Sequence, residues 1–402
     1  MSAAAAGGAL EGIRVVDLSR VLGGPYCSQM LADHGARVLK IEPPLGDETR
    51  EWGPPFHEGD AAYFLGVNRN KRAMGLDLTC TEGRDVLLRL LQDADILLEN
   101  FKPGTLERWG LGYEAVLRER FPRLIHCRIS GFGADGPLGG YPGYDAIVQA
   151  MAGWFSVNGE AGGKPTRLGL PMVDMGTGLY SAVAILMALT ERSRSGLGQF
   201  IDMTLYDCAL ALLHPHAANY ALSGKVPVAT GNAHPNISPY DTFRTGSVDI
   251  FIGAGNDAAF ARLCELLEAP ELIADSRFGR NADRVTHRAT LKVELESRLM
   301  RVEGAAFCER LLQAGVPAGP VQDTARALAH PHTAHRGMLL QQNGHALAGT
   351  PIKFSRTPGS VRSLPPRYGE HTREVLLEMG LCDADIQTLL EAGVVLEHRR
   401  QR

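Results

Sequence analysis

The sequence has few of the features that mark secreted, metal-binding or membrane-spanning proteins. It contains 7 Cys in 402 residues, and no two are spaced as C-x-x-C, which argues against zinc sites and disulfide frameworks. The longest apolar run, LYSAVAILMAL, is about eleven residues, too short to cross a bilayer. The opening MSAAAAGGALEG lacks the basic and apolar regions of a signal peptide. We therefore expect a cytoplasmic protein with reduced thiols, no metal and no membrane association.

Neither sign of charge is in large excess. Lys and Arg number 41 against 45 Asp and Glu, which gives a net charge of −4 at pH 7. The cations are scattered rather than gathered into the basic stripe that duplex nucleic acid requires, so we expect no nucleic-acid partner. The length is sufficient for two domains, each with a core of its own.

Strand and helix patterns alternate over the first two hundred residues. Short β-rich runs occur at 13–18, 36–42, 95–100, 123–130 and 198–207, and helical patterns occur at 26–35, 83–94, 104–110, 145–154 and 178–193. Such alternation is typical of βαβ units that build a parallel sheet with helices on its faces. The sequence therefore predicts an α/β fold.

The composition changes at about residue 224, where SGKVPVATGNAHPNISPY is rich in Gly, Pro, Asn and Ser. Segments of this kind are loops or linkers. We predict a large α/β domain over residues 10–210, a linker over 211–231 and a small α+β domain over 232–325. Residues 326–402 are expected to return to the large domain, which residues 335–402 complete.

Gly131, Gly133 and Gly136 form a G-x-G-x-x-G pattern after the run at 123–130. A dinucleotide site would need a helix that opens at the third glycine and an acidic residue at the end of a second strand. Here Pro137 follows Gly136, and Glu160, about the right distance away, lies in the loop-like NGEAGGKP. The pattern therefore predicts a glycine-rich loop and not a nicotinamide or flavin site.

Asp174 stands in LPMVDMGTGLYSAVAILMAL, directly before the apolar helix predicted at 178–193, with Gly176 and Gly178 next to it. One interpretation is an N-cap, because Asp accepts backbone N–H bonds at the positive end of a helix. The other is a nucleophile that the helix end keeps ionised and that attacks an activated acyl group. The residues alone leave both open.

Several segments, in this order along the chain, resemble the class III (family III) coenzyme A transferases, the group of formyl-CoA transferase and carnitine CoA-transferase. They are GIRVVDLSRVLGGPYCSQMLADHGARVLKIEPP, NRNKRAMGLDLTCTEG, ADILLENFKPGTLERWGLGYE, RISGFGADGPLGGYPGYD, LPMVDMGTGLYSAVAILMALTERSRSGLGQFIDMTLYD and YGEHTREVL. The resemblance implies a Rossmann-like large domain, a small domain and an interlocked, ring-like homodimer. It also implies CoA thioesters as substrates, no prosthetic group, and Asp174 as the catalytic aspartate.

The resemblance further implies where CoA binds. The residues carried over are Leu22, Gly23, Leu76, Asp77, Asn100, Phe101 and Arg108, with Tyr144 beside them and Lys71 and Arg72 as possible phosphate partners. Two features depart from the family pattern. Pro43 replaces a basic residue near the nucleotide, and GNAHPNISPY with GAGN replaces the glycine-run lid of the formyl-CoA enzymes, which puts formate and oxalate chemistry in doubt.

Two other functions fit the same resemblance. An acyl-CoA racemase shares the fold but needs a base on each face of the carbon beside the thioester. Tyr144 stands where that branch has His, and a phenol with a pKa near 10 is a poor base at neutral pH. A non-catalytic acyl-CoA-binding protein, in which Asp174 is only a cap, is the second alternative.

The acids that exchange CoA are indicated only by a subgroup likeness. GNAHPNISPYDTF and LLEAGVV are most similar to enzymes that use succinyl-CoA with small dicarboxylates such as glutarate, itaconate or mesaconate. A second substrate carboxylate would need a cationic partner. Arg50, Arg167 and His234 are candidates by position.

Overall fold

A computed structural model describes residues 8–342 and 345–398. Its strands in chain order are β1 (Arg14–Asp17), β2 (Arg37–Glu42), β3 (Phe56–His57), β4 (Asp60–Ala61), β5 (Lys71–Leu76), β6 (Ile96–Glu99), β7 (Ile125–Ser130), β8 (Phe200–Thr204), β9 (Tyr240–Phe243), β10 (Ile250–Gly253), β11 (Ala318–Pro320), β12 (Leu339–Gln342), β13 (His345–Ala348) and β14 (Val395–Leu396).

The helices vary from one turn to more than six. In chain order they are α1 (Gly23–Asp33), α2 (Ala62–Leu65), α3 (Thr81–Leu90), α4 (Thr105–Arg108), α5 (Arg118–Arg120), α6 (Asp145–Met151), α7 (Trp154–Val157), α8 (Met172–Ser195), α9 (Leu205–Ala211), α10 (His216–Ser223), α11 (Asp257–Leu266), α12 (Pro270–Ala274), α13 (Asn281–Thr286), α14 (Arg288–Leu299), α15 (Gly304–Gln313), α16 (Thr324–Ala329), α17 (Pro331–His335), α18 (Thr372–Glu378) and α19 (Asp383–Glu391).

The largest sheet has the strand order β14-β5-β2-β1-β6-β7-β8. Every neighbouring pair in it is parallel except β14 with β5, which is antiparallel. The predicted α/β class with a mainly parallel sheet is confirmed. The sequence missed β5, whose KRAMGL begins with two charges, and β14, which is only two residues long.

Each face of this sheet has its own apolar layer, because side chains alternate along a strand. Val15, Ile96 and Ile125 point to the face covered by α1 and α8. Val16 and Leu97 point to the opposite face, where they join a cluster with residues of α3, α18 and α19. With both faces covered, the strands are nearly continuous apolar runs, which is why the sequence revealed most of them.

The chain divides into two compact units. The first comprises Met1–Ala152, Leu168–Ala217 and Ala334–Arg402, and the second comprises Gly153–Arg167 and Ala218–Thr333. The second unit contains the antiparallel sheet β11-β10-β9 and the helices α11–α15. The sequence analysis had placed residues 153–167 in the large domain. Their Gly- and Pro-rich composition gave no sign that they belong to the second unit.

Helix α8 is 24 residues long and begins six residues before the helix predicted at 178–193. By length and composition alone it could cross a membrane. One such helix is weak support for a membrane span, however, because a core helix of a globular protein meets the same criterion. Here α8 packs against α1, α9 and β7.

Candidate active site

Asp174 is the third residue of α8 and does not cap it. The helix begins at Met172, its N-cap position is Pro171, and no side chain of the N-cap position bonds to the helix. The N-cap interpretation of Asp174 is therefore wrong, because the helix starts earlier than the sequence suggested. Pro171 and the glycines at 176 and 178 resemble a loop in the sequence, yet the helix continues through both glycines.

Asp145, the first residue of α6, provides the missing cap. Its Oδ2 accepts the backbone N–H of Val173 at 2.8 Å and of Asp174 at 3.1 Å. Its Oδ1 accepts the Gln149 side-chain amide at 2.5 Å. The amide oxygen of Gln149 in turn accepts the Leu168 N–H at 3.0 Å. The carboxylate of Asp145 thus fixes the backbone that carries Asp174.

The Asp174 carboxyl group is partly buried, and burial raises its pKa to about 7. The negative charge of Asp145 adds to the shift. The end of α8 favours the ionised form of Asp174, whereas burial and the charge of Asp145 act in the opposite direction. At neutral pH a large fraction of the carboxylate remains ionised, and it is poorly solvated, which favours nucleophilic attack.

Tyr63, in α2, was not found from the sequence. Burial raises the pKa of its phenol to about 12, with further contributions from the charges of Asp174, Asp145 and Asp47. The phenol therefore stays protonated at neutral pH. A tyrosine outside any recognised motif gives no sequence signal for such a shift.

The N-terminal end of α1 lies directly against Asp174. A Cβ atom on Gly23 would lie 3.3 Å from the carbonyl oxygen of Asp174 and 3.9 Å from its Oδ1. A Cβ on Gly178 would lie 2.6 Å from the carbonyl oxygen of Gly23, closer than real atoms approach. Glycine at these positions lets α1 and α8 touch, so the segment with Leu22 and Gly23 borders the reactive carboxyl group.

Several of the residues expected to bind CoA follow the carboxyl ends of neighbouring strands, the edge where open α/β sheets bind ligands. Leu22 and Gly23 follow β1, and Asn100 follows β6. The Asn100 side chain accepts the N–H of Arg20 at 2.9 Å and donates to its carbonyl oxygen at 2.7 Å. The structure therefore brings Asn100 and the loop after β1 together.

The remaining residues of the expected CoA site differ in accessibility. Leu76 is buried in the apolar core and pairs with Val395 of β14, and the Asp77 carboxylate accepts the N–H and hydroxyl of Thr79. Phe101 packs edge-on against Trp109. Arg108, in contrast, is exposed at the end of α4.

Lys71 and Arg72 lie on opposite faces of β5, and both side chains are already engaged with carboxylates of this chain. The side chain of Lys71 is wholly buried beside Asp17. Arg72 pairs with Glu374 at 3.2 Å and Glu378 at 2.8 Å. Because it lies four residues before Leu76, it is ~13 Å from the carboxyl end of the strand. A phosphate role would require both pairings to be replaced.

Arg72 also lines a cavity of about 870 Å³ with Arg14 and Arg37, at the amino ends of β1 and β2. Asp174 and the Leu22–Gly23 segment are not among its lining residues. Arg14 is paired with Asp93 at 3.1 Å. The cavity is therefore separate from the site around Asp174.

The other candidate side chains differ in exposure and in their contacts. Arg50 is buried, with a two-pronged pair to Glu42 and a further bond to Asp60, so it is not available to a substrate carboxylate. Arg167 is exposed, and burial lowers the pKa of His234; both residues belong to the second unit. Tyr144 is the exposed N-cap residue of α6.

Among residues 8–342 and 345–398, no group of three or more His, Cys, Asp or Glu side chains could hold a metal ion.

The raised pKa of Asp174 predicts a pH-dependent stability. In the unfolded chain this carboxyl has a pKa of 3.8, and in the folded chain about 7. The folded state therefore binds the proton more tightly, and the stabilisation is complete below the unfolded pKa and is lost as the pH rises through about 7. Asp174→Asn should be more stable than the wild type by ~1–3 kcal/mol above that pH, with a smaller difference in acid.

Chemical denaturation between about pH 4 and about pH 8 measures this difference. Asp85→Asn, which changes an exposed carboxylate on α3, is the matched control and should shift the free energy of unfolding by less than ~0.5 kcal/mol throughout. If the difference in unfolding free energy between Asp174→Asn and the wild type does not vary with pH, the raised pKa of Asp174 is contradicted.

Proteins of known function and structure resemble this chain along most of its length. It is 41% identical to a succinate–glutarate CoA-transferase of Agrobacterium fabrum over 382 residues, covering 92% of this chain and 95% of the relative. It is 39% identical to a succinyl-CoA:mesaconate CoA-transferase of Haloarcula hispanica over 390 residues, covering 93% and 97%.

The crystal structure of a CAIB/BAIF family protein from Brucella suis superimposes with a TM-score of 0.83 at 43% identity, covering 93% of this chain and 100% of that one. The sequence pattern of CoA-transferase family III matches residues 10–372. This chain therefore belongs to family III of the CoA-transferases, as its motifs predicted.

Proposed function

We propose that this enzyme moves CoA from succinyl-CoA to a small dicarboxylic acid and that Asp174 is its nucleophile. The observation that carries the proposal is a partly buried carboxyl group with a pKa of about 7, beside the glycine end of α1. Two relatives at about 40% identity are named a succinate–glutarate CoA-transferase and a succinyl-CoA:mesaconate CoA-transferase. The subgroup likeness of the sequence points to the same acids.

In the first half-reaction the ionised Asp174 attacks the carbonyl carbon of succinyl-CoA. The C–S bond breaks, the thiolate of CoA leaves, and a mixed anhydride joins Asp174 to the succinyl group. The thiolate then attacks the Asp174 carbonyl carbon of this anhydride. Succinate leaves with the electrons of the broken C–O bond, and Asp174 becomes a CoA thioester.

In the second half-reaction the carboxylate of the acceptor attacks the Asp174 thioester and releases CoA thiolate. The new anhydride joins Asp174 to the acceptor acid. The thiolate attacks the acceptor's carbonyl carbon, which gives the product thioester and restores the Asp174 carboxylate. No net proton or electron is needed, and the energy of the thioester is kept as long as water is excluded.

The neighbours of Asp174 have distinct parts in this proposal. Asp145 holds the backbone of Asp174 through two N–H bonds, so the carboxyl group stays oriented toward Gly23. The protonated phenol of Tyr63 is a donor for the negative oxygen that forms during attack. Leu22, Gly23 and Asn100 are proposed to border the pantetheine, and Arg108 is proposed to meet a phosphate.

Acylation of Asp174 can be trapped chemically. Incubation with succinyl-CoA and hydroxylamine should convert Asp174 to a hydroxamate, which peptide mass spectrometry locates. Asp174→Ala should abolish the label and lower CoA exchange by ~10³-fold or more, because the nucleophile is gone. Asp85→Ala is the control, because Asp85 is an exposed carboxylate on α3. This variant should leave the hydroxamate label on Asp174 and the rate of CoA exchange unchanged.

An isotope-exchange assay separates the alternatives. A transferase exchanges label between free acid and acyl-CoA, a racemase exchanges the α-proton with solvent, and a non-catalytic binder does neither. Full CoA exchange by Asp174→Ala would refute the proposed mechanism.

The choice of dicarboxylates is tested by an acceptor series. With succinyl-CoA as donor, glutarate, itaconate and mesaconate should have kcat/KM values at least ~10-fold above those of acetate and butyrate, since a paired second carboxylate adds binding energy. Oxalate should also be poorer than the C4–C5 acids. Preference for a monocarboxylate over every C4–C5 dicarboxylate would contradict the proposal.

We propose that the enzyme is an interlocked homodimer. An apolar stripe on α8 supports this: its members are each between 41% and 67% exposed in the single chain. They are Leu179, Tyr180, Val183, Leu186 and Met187. A contiguous patch of this kind marks a protein interface more often than a free surface, and a second copy of the chain is the partner that the family resemblance implies.

Light scattering should therefore give twice the chain mass of 43.4 kDa. Met187→Glu should shift the protein toward single chains, because it puts a charge into the stripe. Met300→Glu, an exposed methionine of the second unit, should leave the mass unchanged. A wild-type enzyme that is monomeric and fully active at assay concentration would contradict the dimer.

A further inference from the structure

Asp17, Lys40 and Lys71 are charged side chains on the face of the sheet that α1 covers, where apolar side chains are expected. In the sheet register, Asp17 of β1 is paired with Lys40 of β2, and Lys40 is paired with Ala73 of β5. Lys71 lies two residues before Ala73, so its side chain points to the same face of the sheet. All three charged side chains are fully buried. Along the same face, Val15 belongs to an apolar cluster with residues of α1. Buried ion pairs stabilise a fold less than apolar packing would, so these lysines are better explained by what they bind.

Each lysine holds one backbone carbonyl of the segment 19–25, which follows β1 and runs into the first turn of α1. Lys40 Nζ donates to the Ser19 carbonyl at 2.8 Å and to Asp47 Oδ2 at 2.9 Å. Lys71 Nζ donates to the Pro25 carbonyl at 2.9 Å. These two carbonyls lie at opposite ends of the segment 19–25, which contains Leu22 and Gly23.

The contacts of Lys71 with side chains fix its ammonium group. It donates to Asn68 Oδ1 at 2.8 Å and lies 3.4 Å from Asp17 Oδ2. Asp17 in turn accepts the Ser19 N–H at 2.9 Å, the Ser19 hydroxyl, and the Ser28 hydroxyl at 2.5 Å. The network thus ties both ends of the segment to the sheet.

The middle of the segment is also constrained. The Asn100 side chain bonds to both the N–H and the carbonyl of Arg20. Val21 has a φ of 69°, a conformation that costs free energy for a β-branched residue and that persists only where the surroundings impose it. A Cβ on Gly24 would collide with the Ser19 side chain. The loop is held in one strained conformation.

We propose that Lys40 and Lys71 are positioning residues for catalysis, which hold segment 19–25 so that Gly23 and the bound thioester meet Asp174. The inference rests on the proposed function, because it assumes that acyl-CoA follows Leu22 and Gly23. Gly23 lies against Asp174, and it is four residues from one anchored carbonyl and two from the other. Release of either anchor lets Gly23 move away from the carboxyl group. A misplacement of about 1 Å at a reacting centre can cost ~10²-fold in rate.

The test compares Lys40→Met, Lys71→Met and the double variant Asp17→Asn/Lys71→Met. The double variant removes both charges of one pair, so it leaves no unpaired buried charge from that pair. At a temperature where circular dichroism shows each protein folded, we expect the single-turnover rate of hydroxamate formation at Asp174 to fall by ~10–100-fold and the KM for succinyl-CoA to rise. The KM for the acceptor acid should change less.

Lys292→Met is the matched control. Lys292 forms a pair of 2.8 Å with Asp241 in the second unit, and its loss should leave both donor readouts within ~2-fold of wild type. If the double variant does not fold, Ser28→Ala takes its place, since it removes one hydroxyl from Asp17 and keeps every charge. A change of at least ~3-fold in the same direction is then expected.

Folded variants that keep the wild-type acylation rate and donor KM, whatever their melting temperatures, would overturn the positioning role. Wild type and Asp174→Ala are run beside them. If the wild type forms no hydroxamate, the proposed function fails. If the wild type is labelled and the lysine variants are labelled equally fast, only the positioning role fails.

Discussion

The Asp145 carboxylate, bonded to the backbone N–H groups of Val173 and Asp174, is the contact on which the site depends. It takes the capping role at the start of α8, so the neighbouring carboxyl group of Asp174 is not committed to capping. The cost is electrostatic, because the charge of Asp145 adds to burial in raising the pKa of Asp174. The same contact therefore fixes the backbone at Asp174 and, together with burial, raises the pKa of its carboxyl group.

Two glycines bring the start of α8, which Asp145 caps, against the loop after β1. Gly178 lets α8 approach the carbonyl of Gly23, and Gly23 has no side chain to separate α1 from Asp174. The segment with Leu22 and Gly23 therefore lies beside the Asp174 carboxyl group. The buried lysines contact the backbone at both ends of this segment, at the carbonyls of Ser19 and Pro25.

The sequence predicted the parts of the molecule that depend on local pattern. The apolar runs of β1, β2, β6 and β7 were recognised because both faces of these strands are covered, and the motifs along the chain identified its family. The start of α8 was placed too late, because Pro171 and two glycines look like a loop unless the contact between Gly178 and Gly23 is known. Pairings between distant residues gave no signal: Lys71 is 54 residues from Asp17, and its burial is invisible in KRAMGL.

The central claim is that Asp174 becomes covalently linked to CoA beside the loop after β1. A crystal structure of the enzyme cooled during turnover with succinyl-CoA tests it most directly. The account predicts continuous electron density from the Asp174 carbonyl carbon to the sulfur of CoA, with the pantetheine running past Leu22 and Gly23. An unmodified Asp174 with CoA bound elsewhere, for example in the arginine-lined cavity at the amino ends of β1 and β2, would contradict it.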